Sequence, residues 1–146
     1  MASTKFVTDT ATLCVFDVAA LRHRFGDAGD WWSIVDEELK EVNAGNAAFI
    51  GLGSDGEYEI DIGDAGDEGG SSIRLKCPSG RVFVGCGEEV TADGLEPEGN
   101  RGGTFLDFTP GAYVLSVRRT GDKSLVINLR RIEGEARNSF TEPIRV

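Results

Sequence analysis

Over much of the chain, apolar and polar residues alternate one for one. Tyr58, Ile60 and Ile62 stand between Glu57, Glu59 and Asp61, and the same rhythm returns in Tyr113, Leu115 and Val117 and again in Leu125, Ile127 and Leu129. A period of two places successive side chains on opposite faces of an extended strand, so each segment has one face for a core and one for water. Thr120-Gly121-Asp122-Lys123 joins the last two segments and reads as the turn of a hairpin. By the same criteria residues 10–17 form a strand, residues 47–53 and 57–62 form a hairpin closed by Ser54-Asp55-Gly56, and residues 71–77 and 81–88 form another. With Ser79-Gly80 as a two-residue turn, Ile73, Leu75 and Cys77 share a face with Val82, Val84 and Cys86. Phe105-Leu106-Asp107-Phe108 and an end strand over 143–146 complete the set, and Pro143 confines that last strand to an edge.

Two stretches break the rhythm. Asp17 is placed to cap a short helix over 18–25 that Gly26 terminates. Ser33, with Asp36 three positions on, opens a second helix in which Val35, Leu39 and Val42 share a face until Gly45 ends it. About nine strands with one or two short α-helices inserted near the N-terminus predict a mainly β fold. The expected architecture is an antiparallel β-sandwich of jelly-roll type, forming a single domain over residues 1–146.

Composition agrees with a folded chain: 40% of the residues are apolar, with eight Phe and two Trp, more than a disordered chain of this charge carries. The opening residues lack the layout of a signal peptide, and no apolar run approaches the roughly 18 residues of a membrane span, so a cytoplasmic protein with no membrane contact is expected. The net charge of −10 is unevenly spread: residues 1–70 carry four Lys and Arg against 15 Asp and Glu, whereas residues 71–146 carry 11 against 10. A surface of that sign repels nucleic acid and attracts cationic partners. Cys14, Cys77 and Cys86 are odd in number and lack C-x-x-C spacing, which suggests neither a disulfide framework nor a zinc knuckle. The hairpin register above also holds Cys77 and Cys86 roughly 13 Å apart, too far for a disulfide.

The densest run of carboxylates is Asp61, Asp64, Asp67 and Glu68, in a glycine-rich stretch. Calcium takes six to eight oxygens, but the spacing departs from the EF-hand pattern and lacks its closing Glu, while Gly and Asp are also the residues of solvated turns. No metal is assigned. Gly26-Asp27-Ala28-Gly29-Asp30 recurs as Gly63-Asp64-Ala65-Gly66-Asp67. His23, the only histidine, has no Ser or Cys at a recognisable spacing and reads as a surface or helix-end imidazole. Trp31 and Trp32 follow Asp30; exposed, they would stack on sugars or anchor a protein partner, and buried, they would fix the start of the second helix to the sheet. Gly51-Leu52-Gly53 and Gly85-Cys86-Gly87 match no phosphate loop and read as bulges or close strand approaches. Residues 91–103 form a polar loop long enough to cross between sheets or to make a binding edge. No catalytic residue and no cofactor are expected.

The Val15-Phe16-Asp17 strand end, the Asp30-Trp31-Trp32 segment, the Arg81-Val82-Phe83-Val84-Gly85-Cys86-Gly87 strand and the Pro110-Gly111-Ala112-Tyr113 turn before two long final strands occur in that order. Together they resemble small bacterial β-sandwich proteins of immunity or nuclease-inhibitor type, the competence-protein-J inhibitors among them. The resemblance implies a cytosolic, non-enzymatic inhibitor, and the charge asymmetry supplies it with a partner class: a toxin or nuclease with a basic surface. The expected contacts are Asp27, Asp30, Trp31, Trp32, Asp61, Asp64, Asp67 and Glu68. The alternative is a calcium- or carbohydrate-binding module built on residues 61–68 and the Trp pair.

Overall fold

The computed structural model describes residues 2–24, 31–63, 71–90 and 101–146. Among these, ten strands form two five-stranded sheets. Sheet A runs in the order β1 (Ala2–Thr8), β4 (Gly56–Gly63), β9 (Ser124–Ile132), β8 (Gly111–Gly121), β5 (Ser71–Cys77). Sheet B runs β10 (Ile144–Arg145), β3 (Ala48–Gly51), β2 (Thr12–Asp17), β6 (Arg81–Cys86), β7 (Thr104–Asp107). One α-helix, α1 (Val35–Asn43), and three 3₁₀ segments, Val18–Arg24, Trp31–Ser33 and Gly87–Glu89, complete the described chain. A single cluster of buried apolar side chains draws on both sheets. The fold is mainly β, as the alternation implied.

The two sheets differ in what covers them. On sheet A the period of two is literal: Tyr58, Ile60 and Ile62, then Ile73 and Leu75, then Tyr113, Leu115 and Val117, then Leu125, Ile127 and Leu129 are buried, while Glu57, Glu59, Asp61, Arg74, Lys76, Arg118 and Arg130 are exposed. Burial is continuous along sheet B, from Leu13 to Asp17, Ala48 to Ile50 and Val82 to Cys86. A strand buried on both faces needs cover on both; on this side the helical segments supply it, with Leu21, Trp31 and Trp32 in the core and both indoles on Phe49.

Neither of the first two expected hairpins exists. β3 lies in sheet B and β4 in sheet A; β5 pairs with β8 in sheet A, and β6 pairs with β2 and β7 in sheet B. Periodicity locates strands but is silent on whether a turn reverses within a sheet or steps to the other one. Here the step after β5 is enforced by Asp17, whose carboxylate accepts hydrogen bonds from Ser79 N (3.0 Å), Ser79 Oγ (2.7 Å) and Gly80 N (2.8 Å). Gly80 has φ +81, and a Cβ there would stand 2.0 Å from the Phe108 carbonyl oxygen, so the corner admits only glycine. The register used above to separate Cys77 from Cys86 therefore fails; all three cysteines are free, each buried. The hairpin of β8 and β9 forms as expected.

The sheets are not purely antiparallel. β4 runs parallel to β9, and β10 parallel to β3 at the edge where Pro143 had placed it. Parallel neighbours need crossover connections rather than tight turns, and the long stretches between these strands in sequence provide them. β1, at the edge of sheet A, precedes the first strand that the alternation predicts. It pairs with β4 along its whole length, from Ala2 opposite Ile62 to Thr8 opposite Gly56.

The helices start later or wind tighter than expected. Asp17 does cap its segment, accepting from Ala19 N at 2.9 Å, but residues Val18–Arg24 wind as 3₁₀ helix. Ser33 ends a 3₁₀ turn instead of capping; Ile34 occupies the cap position of α1 with no side-chain hydrogen bond. Gly45 closes the helix with φ +80, and a Cβ there would overlap the Ala136 carbonyl oxygen at 1.8 Å. That contact belongs to a strap along the edge of β5. The Asn138 carboxamide accepts from Arg74 N (2.8 Å) and donates to Arg74 O (2.9 Å) and Val42 O (2.7 Å), imitating a strand residue and covering the edge.

Candidate protein-binding surface

Of the eight residues expected to touch a partner, Asp61, Trp31 and Trp32 lie among the described residues. Asp27, Asp30, Asp64, Asp67 and Glu68 lie outside them, as do most of both Gly-Asp-Ala-Gly-Asp repeats and residues 91–100 of the polar loop.

The tryptophans are a correction. Trp31 is 3% exposed and Trp32 6%. Trp31 meets Phe49 edge-on with ring centroids 5.8 Å apart, and Trp32 stacks on the same ring at 5.9 Å. The Arg24 guanidinium carbon lies 4.5 Å from the Trp31 centroid. The indoles cover sheet B, so neither offers a face to a protein or a sugar, and the carbohydrate alternative loses its platform.

Asp61 is exposed and has company. On the outward face of β4 it follows Glu57 and Glu59, each carboxylate roughly 7 Å from the next at the usual strand rise. The residues opposite on β1 are Val7, Lys5 and Ser3, and on β9 Ser124 and Val126 face Glu59 and Asp61. Lys5 is the one cation in those cross-strand positions. A groove of about 450 Å³ lined by Lys5, Phe6, Val7, Glu57, Arg101 and Gly102 adjoins the Glu57 end. The row was legible as the wet half of the β4 alternation; what singles it out is its register, because the other half of the same sheet face carries Arg74, Lys76, Arg118 and Arg130 on β5, β8 and β9. The charge asymmetry of the sequence thus becomes an asymmetry across one sheet.

Other charged clusters serve the fold. The Glu41 carboxylate is buried and accepts from Arg24 Nε (2.7 Å), Asn46 Nδ2 (2.7 Å) and His23 Nε2 (3.0 Å). Burial pushes this carboxyl up, but the hydrogen bonds from Asn46, Arg24 and His23 outweigh it and hold the group below the ordinary carboxylate range. His23 is therefore more than a surface imidazole: it ties the 3₁₀ segment to α1. Glu88 accepts from Thr8 Oγ1 (2.9 Å), Thr10 Oγ1 (2.6 Å) and Asp9 N, pinning the corner between β1 and β2. Burial raises all three thiols, Cys77 and Cys86 to about 12, which keeps them protonated and weakly nucleophilic. Among the described residues no group of three or more His, Cys, Asp or Glu is placed to hold a metal ion, and no helix is long and apolar enough to cross a membrane.

Two solved structures share the fold. "Crocagin biosynthetic gene J" superposes with a TM-score of 0.57 over 90% of this chain and 99% of its own, at 16% identity. ComJ from Bacillus subtilis, an inhibitor of the DNA-degrading activity of NucA, superposes with a TM-score of 0.53 over 90% of this chain and 96% of its own, at 10% identity. The expected likeness to ComJ holds at the level of the fold. No curated protein sequence matches. The model of the family of unknown function DUF6386 matches residues 1–146, and the chain belongs to that family.

Proposed function

We propose that this chain is a non-enzymatic protein-binding domain acting in the bacterial cytoplasm as an immunity-type inhibitor of a nuclease or toxin with a basic surface. The observation that supports this best is the likeness to ComJ over nearly the full length of both chains. The electrostatics supply a mechanism. An enzyme that degrades nucleic acid holds phosphates in a cationic cleft, and a rigid row of carboxylates competes for those positions. In this reading Glu57, Glu59 and Asp61 on β4 begin the contact, and Asp64, Asp67 and Glu68 continue it along the chain, with Asp27 and Asp30 as further acidic contacts.

The test is inhibition of NucA, measured as DNA degradation at low ionic strength with increasing amounts of the chain. Inhibition is expected, with an association rate that falls steeply with salt and drops roughly tenfold in the Glu57→Gln/Glu59→Gln/Asp61→Asn variant. Undiminished NucA activity in the presence of excess chain removes the nuclease-inhibitor reading. Inhibition by the triple variant at the wild-type association rate removes the β4 row from the contact.

A further inference from the structure

The β4 row offers charge with little apolar surface beside it; Val7, at 39% exposure, is the large hydrophobic on that side. Binding energy at protein interfaces concentrates in apolar anchors, with charge governing steering and register. The most exposed large hydrophobics among the described residues lie elsewhere. Ile34 is 57% exposed and Val35 49%, at the start of α1. Glu38 stands three residues after Val35, which sets those two on one side of the helix, and Ile34 precedes them at the cap position. Glu38 also lines a groove of about 320 Å³ whose walls include Thr10, Thr12, Phe49, Ile50, Pro143 and Arg145.

The electrostatics of this groove are unlike those around Glu41. Burial raises the Glu38 carboxyl to about 7, and no neighbouring cation offsets it. Arg145 of β10 is the other charged residue lining the groove, and no ion pair joins it to Glu38 among the described residues. On the same helix Glu37 and Glu41 turn to Arg24. The result is a partly desolvated carboxylate with no counter-ion among the described residues, close in sequence to two aliphatic side chains left in water.

We infer that Ile34, Val35 and the Glu38 groove form a docking surface for a protein segment that presents a lysine or arginine next to an aliphatic side chain. The cation enters the groove and pairs with Glu38, and the aliphatic group covers Ile34 and Val35. Charge complementarity selects the occupant, because an acidic or neutral segment leaves the carboxylate desolvated and unpaired. The inference rests on the inhibitor reading only in taking a basic protein as partner.

The experiment uses the full chain, isotopically labelled, and two probes: acetyl-Leu-Lys-Leu-Lys-amide and acetyl-Leu-Gln-Leu-Gln-amide at millimolar concentration. At pH 8 the lysine peptide is expected to shift the amide resonances of Ile34, Val35, Glu38 and Arg145, and the glutamine peptide to leave them in place. Glu38→Gln, and separately a change to pH 6, should each weaken the response roughly fivefold, and Ile34→Ser/Val35→Ser should weaken it without altering the spectrum of the sheets. Equal shifts from both peptides, shifts confined to β4, or no shifts at all overturn the inference. NucA inhibition separates it from the inhibitor reading. A chain that binds the lysine peptide on α1 but leaves NucA active keeps this surface and loses that reading, whereas Ile34→Ser/Val35→Ser inhibiting NucA with wild-type potency removes this surface and keeps the reading.

Discussion

Asp17 and Glu41 carry the same functional group as Glu57, Glu59 and Asp61, and all five belong to the acidic half of the sequence. The first two are buried, and each meets three or more donors from other residues: backbone N–H groups and a hydroxyl around Asp17, a guanidinium, an amide and an imidazole around Glu41. The other three lie on an open strand face, and Lys5 is the one cation set opposite them. A count of charges therefore overstates what a partner can meet. Donors and burial decide whether a carboxylate belongs to the fold or to the surface, and each assignment can be broken by substitution.

The largest effect is expected at Asp17. Removing its carboxylate in Asp17→Ala strands Gly80 N, Ser79 N and Ala19 N together, each left short of an acceptor at or near a buried corner. A loss of about 4 kcal/mol in denaturant unfolding is expected. Asp17→Asn should recover only part of it, because the amide nitrogen turns a donor toward donors. A loss below about 1 kcal/mol would mean that the step between sheets is held elsewhere.

Glu41 comes next. Glu41→Gln takes from the buried Arg24 a carboxylate partner held at 2.7 Å and should cost about 3 kcal/mol at neutral pH. The pH dependence gives a separate check. Because the folded carboxyl titrates below the ordinary value, its contribution is present above about 4.5 and is lost as pH falls through the lower folded value. Wild type and Glu41→Gln should therefore converge in acid. Curves that stay parallel down to the acid limit would show that the ionised form is not what the cluster stabilises.

Glu38 has the opposite sign. Its carboxyl is raised from 4.5 to about 7, so the folded state holds the proton more tightly; the favourable term is complete below 4.5 and disappears as pH rises through 7. Glu38→Gln should thus stabilise the chain at pH 8 by about 1 kcal/mol, a figure reduced for solvent screening of a half-exposed group, and change little at pH 4. A destabilised variant at pH 8 would place a hidden cation beside Glu38 and remove the case for a waiting groove.

These differences mark how far the sequence could be read. The alternation in 57–62 and 112–129 located three long strands and gave their inward faces correctly, because side-chain period is a local property. Sheet membership is not local. It depends on Asp17 meeting Ser79 and Gly80 across more than sixty positions, and on Asn138 pairing with Arg74 across 64. β1 was overlooked because Ala2 and Thr4 are small and half-buried, and because the hydrophobic signal of Phe6 and Val7 spans both faces. The Trp pair was placed among partner contacts because indoles serve cores and interfaces alike, and only the continuous burial of sheet B showed which role they have here. Asp61 was singled out as part of a glycine-rich acidic loop; the structure groups it with Glu57 and Glu59, a row already written in the wet half of the alternation.

The smallest effect is expected on that row. In Glu57→Gln/Glu59→Gln/Asp61→Asn three like charges spaced along one strand face disappear, together with the attraction between Glu59 and Lys5 opposite it. Like charges on neighbouring positions and opposite charges across strands each amount to a few tenths of a kcal/mol, with contrary signs. Thermal unfolding should therefore move by no more than about 0.5 kcal/mol in either direction. Salt sharpens the point. Screening relieves repulsion within the row in the wild type, so its stability should rise modestly with ionic strength, and that rise should flatten in the variant. A triple variant that loses more than about 1 kcal/mol would place the row with Asp17 and Glu41 as part of the fold. One that keeps its stability and loses its salt response leaves the three carboxylates with no structural work, which is the condition a contact surface has to meet.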